Sequence, residues 1–127
     1  MPEFATTAAP NDLESPVDLY VLSRLLCTDD TDDIADILSI YWDTMAGTPE
    51  ALKEFFDARD ARALGDAAHA AKSASESIGA TPAAALLKSL ELAAAHQDWD
   101  QVVELIPGVD AAFHSIEAFI DSLHANE

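Results

Sequence analysis

Residues 69–80 read HAAKSASESIGA: one histidine, a lysine three positions on, and otherwise small or hydroxylated residues up to a glycine, apart from Glu76 and Ile78. Imidazole serves as acid, base, metal ligand or covalent nucleophile. Nothing in the chain resembles a zinc cluster. An unperturbed imidazole titrates near ~6.5, so around neutral pH much of it carries a free lone pair. Nucleophilic or acid–base work is therefore open to His69, with Lys72 supplying a positive charge within reach.

The element that carries the pair is a helix. Leu64, Ala67, Ala68, Ala71 and Ile78 fall on one stripe, expected from Asp60 to Gly79. His69 is two residues from both Ala67 and Ala71, about 200° round the axis from each. It is therefore expected to project away from the core, with Lys72, Ser73 and Glu76 on the same exposed face. Helical side chains lean toward the N-terminus, so Lys72 and Ser73 overhang His69. A small residue at 73 leaves the ring open to an approaching macromolecule, and Lys72 sits where an anionic group on the ring would lie. H-x-x-K alone is a common pairing, and an exposed helix histidine is ordinarily a solvated polar residue. His96, His114 and His124 are read that way.

The rest of the chain reads as helices too. Half of its residues are apolar, only 7% are aromatic, and there are four glycines and six prolines. That composition favours helices packed through small side chains over a turn-rich β-sandwich. Residues 1–14 show no period and are expected to form a flexible leader before one domain over 15–127. Ser15 as N-cap and Pro16 at the first helical position should open a short helix to about Cys27.

Asp29, Asp30, Asp32 and Asp33 suit the positive end of a second helix. They lack the alternating ligands, central glycine and closing glutamate of an EF-hand. Its buried face should hold Ile34, Ile37, Leu38, Tyr41 and Met45. Pro49 predicts a kink or short break, with Thr48 capping a piece that turns Leu52, Phe55 and Phe56 inward. Thr81 should cap the fourth helix, with Pro82 in its first turn, ending near His96. From Asp98 the stripe Val102, Leu105, Val109, Phe113, Ile116, Ile120 and Leu123 marks the last helix, which Pro107 should bend or split. Short connections between amphipathic helices imply antiparallel neighbours. The fold class expected is all-α, an antiparallel up-and-down four-helix bundle with a short additional N-terminal helix.

Six basic against 24 acidic residues give a net charge of −18. Such a surface repels phosphate backbones and anionic lipid, so neither nucleic acid nor membrane is an expected partner. The apolar runs fall short of the ~20 residues of a membrane helix, and no signal peptide is seen. The cytoplasm is the expected compartment. Cys27, the single cysteine, lies in an apolar run and reads as a buried inert thiol.

The stretch from Asp66 to Val102 resembles the signature region of histidine-containing phosphotransfer (HPt) domains. Ala68, His69, Lys72, Ser77, Ile78, Gly79 and Ala80 match the family signature, Leu90 and Glu91 match its downstream Leu-Glu, and HQDW at 96–99 matches the turn into the last helix. Similarity extends over about residues 15–124, with residues 68–91 the specific part. Ala71 replaces a larger apolar residue, Ser73 replaces the usual glycine, and Glu76 is a further oddity.

The resemblance implies a phosphorelay intermediate rather than a turnover enzyme. His69, through Nε2, would accept a phosphoryl group from the aspartyl phosphate of a response-regulator receiver domain and pass it to another receiver. Lys72 would stabilise the phosphate, and Ser73 would keep the ring accessible or contact the phosphate. No cofactor or metal is implied on this chain, since Mg2+ would sit on the receiver. A hybrid sensor kinase is a further implied partner, and the chain is expected to be a monomer. Two other readings stay in play. The phosphoacceptor domain of a sensor kinase carries an acidic residue after its histidine and a proline five residues on. Ala70 and Ala74 stand at those positions, and no glycine-rich phosphate loop is present, so autokinase activity is not expected. A helical docking module for receivers that carries no phosphate is the alternative, with Ser73 as the sign of lost chemistry.

Overall fold

Each helix start and stop follows from local backbone chemistry. In the computed structural model, which describes residues 16–125, six helices follow one another: α1 (Leu19–Leu26), α2 (Thr31–Met45), α3 (Thr48–Asp57), α4 (Ala61–Ser77), α5 (Thr81–Ala95) and α6 (Trp99–Ala125). Among the described residues there is no strand, and the fold is all-α. The leader at residues 1–14 and Ser15 lie outside the described residues.

Aspartates cap several helices, each accepting backbone N–H bonds that have no partner inside the helix. Asp18 accepts from Tyr20 and Val21, Asp30 from Asp32, and Asp60 from Ala63. Asp98 accepts from Gln101 at the start of α6. The aspartates at 30, 32 and 33 thus lie at the cap and first turn of α2. Two expected caps are corrected. Thr48 and Thr81 are themselves the first helical residues, preceded by Gly47 and Ala80, and neither helix has a side-chain cap. Pro49 and Pro82 lie in those first turns, where the missing N–H costs nothing. Pro16 precedes α1 rather than opening it.

Four helix ends share one stop. Cys27, Arg59, Gly79 and Gln97 take positive φ, and the next residue's N–H reaches back to a carbonyl in the last turn. This position puts Cys27 at an exposed C-cap, which corrects its expected burial.

Pro49 falls at a true break, Ala46–Gly47, between α2 and α3. Pro107 does not split α6, which runs unbroken through it. The proline is exposed, and Val103, whose carbonyl loses its donor, is 47% exposed, so the break in the ladder lies on the solvent side of the helix.

The core is one cluster. Leu38 and Tyr41 of α2, Leu52 of α3, Leu64, Ala68 and Ala71 of α4, Leu87 and Leu90 of α5, and Val102, Val109, Phe113 and Ile116 of α6 are buried in it. Ile37, expected inside, is exposed, while Ala35 takes an inward place. Met45, Phe55, Phe56, Leu105 and Leu123 are only partly buried against the cluster. Helix α5 packs against α4 and α6, α3 against α4 and α6, and α2 against α6. No helix among the described residues is long and apolar enough to cross a membrane.

Gly79 ties the N-terminal segment to the end of α4. Its carbonyl accepts from the Asp18 N–H at 2.9 Å. A Cβ on Gly79 would stand 3.0 Å from the Asp18 carbonyl oxygen and 3.6 Å from the Val21 Cβ. With φ at +73°, both conformation and space demand glycine there. Helix α1 is held beside the α4–α5 turn by that contact.

Candidate functional site

Helix α4 buries Leu64, Ala68, Ala71 and Ser75 and is fixed at its start by the Asp60 cap. Among the described residues Ser75 is the one buried polar residue outside the apolar set, and its hydroxyl meets the Tyr41 hydroxyl of α2 at 2.9 Å. Burial pushes the Tyr41 hydroxyl above its ordinary 10.0, and the bond to Ser75 works the other way. The pair satisfies two hydroxyls that would otherwise be orphaned in an apolar core. It also fixes how α4 is rotated against α2.

With Ala68 and Ala71 turned inward, His69 faces out and its side chain is 59% exposed. Its Nδ1 lies 2.9 Å from Oε2 of Glu91 on α5. The other carboxylate oxygen, Oε1, accepts from the Lys72 Nζ at 3.3 Å. One carboxylate therefore bridges the histidine and the lysine. Desolvation alone would raise the Glu91 carboxyl, but hydrogen bonds and charges from Lys72 and His69 outweigh it and hold the group below its ordinary 4.5. At neutral pH Glu91 is a carboxylate, which only accepts hydrogen bonds. In the neutral imidazole this makes Nδ1 the protonated nitrogen and leaves the lone pair on Nε2. No described residue bonds Nε2, so it points its lone pair at solvent.

The expected site residues fare unequally. His69 is exposed as its spacing predicted. Lys72 is not on the open face: its side chain is only 19% exposed and drawn onto Glu91. Ser73 is exposed one turn beyond His69, and its hydroxyl has no partner among the described residues. Its carbonyl accepts from Ser77 at 3.0 Å. Glu76 is exposed. Glu91 had been matched only as half of a Leu-Glu pair, with no part in the chemistry. The usable signal was that Leu90 is core, which places Glu91 at the margin of α5 facing α4.

The other histidines stand apart from this cluster. His96 is the C-cap of α5, and the His124 Nε2 lies 2.9 Å from the Ser39 hydroxyl. His114 lines a separate groove with Trp42 and Lys53. Among the described residues no group of three His, Cys, Asp or Glu side chains is placed to hold a metal ion.

Residues 36–125 match the family model described as Hpt domain, which spans most of α2 and all of α3, α4, α5 and α6. No curated protein and no solved structure matches the chain.

Proposed function

The chain belongs to the Hpt domain family, whose role is histidine phosphotransfer in phosphorelays, and from that premise we propose that His69 is the phosphoryl carrier between receiver domains. The observation that carries the reading is the Glu91 bridge. In the neutral ring a carboxylate on Nδ1 favours the tautomer with its proton there, leaving the outward Nε2 with the lone pair.

In the transfer, the Nε2 lone pair attacks the phosphorus of a receiver's aspartyl phosphate in line. A P–N bond forms, the P–O bond to the aspartyl carboxylate breaks, and the receiver regains its aspartate. Nε2 has no proton to lose. The imidazole becomes cationic as the bond forms, and the Glu91 carboxylate on Nδ1–H stabilises that charge. Lys72, held by the other oxygen, stands within one helical turn to meet the phosphoryl oxygens. The reverse sequence delivers the group to a second receiver. Positioning and charge carry such a reaction, and the Mg2+ it uses belongs to the receiver's acidic site.

Ser73 serves as the small residue beside the ring, and its unpartnered hydroxyl is available to the phosphate. The scaffold for this is an up-and-down antiparallel bundle in which α1 lies over one end. The short turns between successive helices support it. A cytoplasmic monomer is the form this reading takes, with receivers, including that of a hybrid kinase, as partners.

The test is to incubate the chain with a phosphorylated receiver and Mg2+, and separately with ATP. Acid-labile label on His69 from the receiver alone is expected. His69→Gln should keep its helical circular dichroism and lose all label. Label retained by folded His69→Gln would move the carrier to another histidine. Receiver binding without label would leave a docking module.

A further inference from the structure

Two charged residues beside His69 take no part in the transfer chemistry. Along α4 from His69, the exposed face passes Ser73 and reaches Glu76, two turns on and about 10 Å along the axis. There a cavity of about 260 Å³ opens between three helices, lined by Val21 of α1, Glu76 and Gly79 at the end of α4, and Ala84, Ala85 and Lys88 of α5 among others. It is smaller than the roughly 300–1,000 Å³ of small-molecule sites and suits one inserted side chain. Its walls are largely apolar, and Glu76 and Lys88 stand at its edge without forming an ion pair.

Lys88 is unusual in this chain. The other five bases have partners: Lys53 with Asp110, Arg62 with Asp66, Lys72 with Glu91, Arg24 with Tyr20, and Arg59 with Phe56 and Trp99. Among the described residues Lys88 alone of the six has no such contact, although the chain carries 24 acids. Val21 and Leu25 of the adjoining α1 are exposed apolar residues, at 36% and 54%. A standard interface covers about 800 Å² on each partner, a patch roughly 30 Å across. A receiver centred on His69 therefore reaches this cavity too.

We infer that the cavity between α1, α4 and α5 is the site that selects among receivers. An apolar side chain of the receiver enters it, an acid of the receiver meets Lys88, and a base meets Glu76. The inference rests on the carrier reading of His69. The physical ground is charge complementarity on a strongly acidic molecule. With a net charge of −18 the surface as a whole repels an acid, and an unpaired lysine beside an apolar pocket offers it a place. Gly79 holds α1 close enough for Val21 to form one wall. Opposite charges at the rim also orient the docked domain, since a receiver with the reverse polarity meets like charge on both sides.

The experiment uses a panel of purified receiver domains loaded with acetyl phosphate and Mg2+, and measures transfer rates to the chain at low and high salt. Phosphoramidate, a small donor that needs no docking, is the control for His69 itself. The paired reversal Glu76→Lys with Lys88→Glu leaves the net charge unchanged. It should cut transfer from the best receivers about tenfold and change the rank order of the panel. That difference should vanish in 1 M salt, where charges are screened beyond about 3 Å. Ala85→Leu, which fills the cavity, should slow the best receivers at both salt concentrations. Phosphoramidate labelling should be unchanged in both variants. Unchanged rank order and rates in the paired reversal, with His69 still labelled, would overturn the inference and leave the carrier reading standing. No label on His69 from any receiver or from phosphoramidate would overturn the carrier reading and this inference with it.

Discussion

The α4–α5 pair and the α2–α3–α6 side of the core are built from different side chains. Between α4 and α5 the buried residues are mostly alanines: Ala68, Ala71, Ala83, Ala84, Ala93 and Ala94. These two helices make the most extensive contact of any pair. On the other side the buried residues are larger, chiefly the aliphatics Leu38, Leu52, Val102, Val109 and Ile116 with Phe113, and partly buried rings pack against them. Trp42 and Phe113 meet at 6.1 Å between centroids, and Phe56 and Trp99 meet edge-on at the same separation. Alanines bring two backbones close, which lets Glu91 reach across to both His69 and Lys72. The larger aliphatic side chains, together with Phe113 and the rings packed against it, supply most of the apolar area buried on that side. The bulk of the stability and the precision of the site thus lie in different parts of one core.

Opposite substitutions on the two sides test that division. Phe113→Ala should cost about 3–5 kcal/mol in denaturant unfolding, through lost burial and the cavity left behind. If the protein stays folded, its phosphoryl transfer should be little changed. Ala71→Leu should cost less, about 1–3 kcal/mol, by overpacking. It should nevertheless damage transfer more, because α4 and α5 are pushed apart and the Glu91 bridge is stretched. Equal loss of transfer in the two variants would show that the division is not real.

The Tyr41–Ser75 bond joins the two sides and comes next in size. Tyr41→Phe leaves the Ser75 hydroxyl buried and unpaired, at a cost of about 1–3 kcal/mol. Tyr41→Phe combined with Ser75→Ala should recover part of that loss. Full additivity in the double-mutant cycle would remove the bond from the account of how α4 is oriented.

Lys72→Ala should lower stability by about 1 kcal/mol, through the loss of a mostly buried stem and of its partner. It should shorten the phosphohistidine lifetime more noticeably. The variant also has a pH signature. Glu91 is held below its ordinary 4.5, so the bridge is fully present above that value and is lost as pH falls through the lowered one. Removing Lys72 should move the Glu91 titration upward in carboxyl NMR. An unmoved titration would show that His69 alone sets it.

Ser73 should have the smallest effect on the fold. Ser73→Gly carries a helix penalty of up to about 1 kcal/mol and should preserve or raise transfer. Ser73→Leu should leave stability nearly unchanged at this exposed position and block docking. Equal transfer by Ser73→Leu and the parent would show that receivers approach from another direction.

The sequence by itself determined which segments are helical, because apolar spacing, aspartate caps and first-turn prolines are local properties. It also determined that His69 faces outward, since Ala68 and Ala71 must face in. It placed helix ends near Cys27 and His96, but not the positive φ at Cys27, Arg59 and Gln97 that makes the stops. Those residues are not glycine, and positive φ there is enforced by the chain that follows. Nor did spacing reveal that Pro107 would sit inside an unbroken helix, which depends on Val103 facing water. Lys72 read as exposed because its helix face is exposed, but its long side chain is drawn down by a carboxylate on another helix. Glu91 is 22 positions from His69, and Ser75 is 34 from Tyr41. Each pair meets only when two helices pack at one distance and rotation. That is settled by how alanines and larger side chains fill the space between them, and so the tautomer of His69 was decided by tertiary structure.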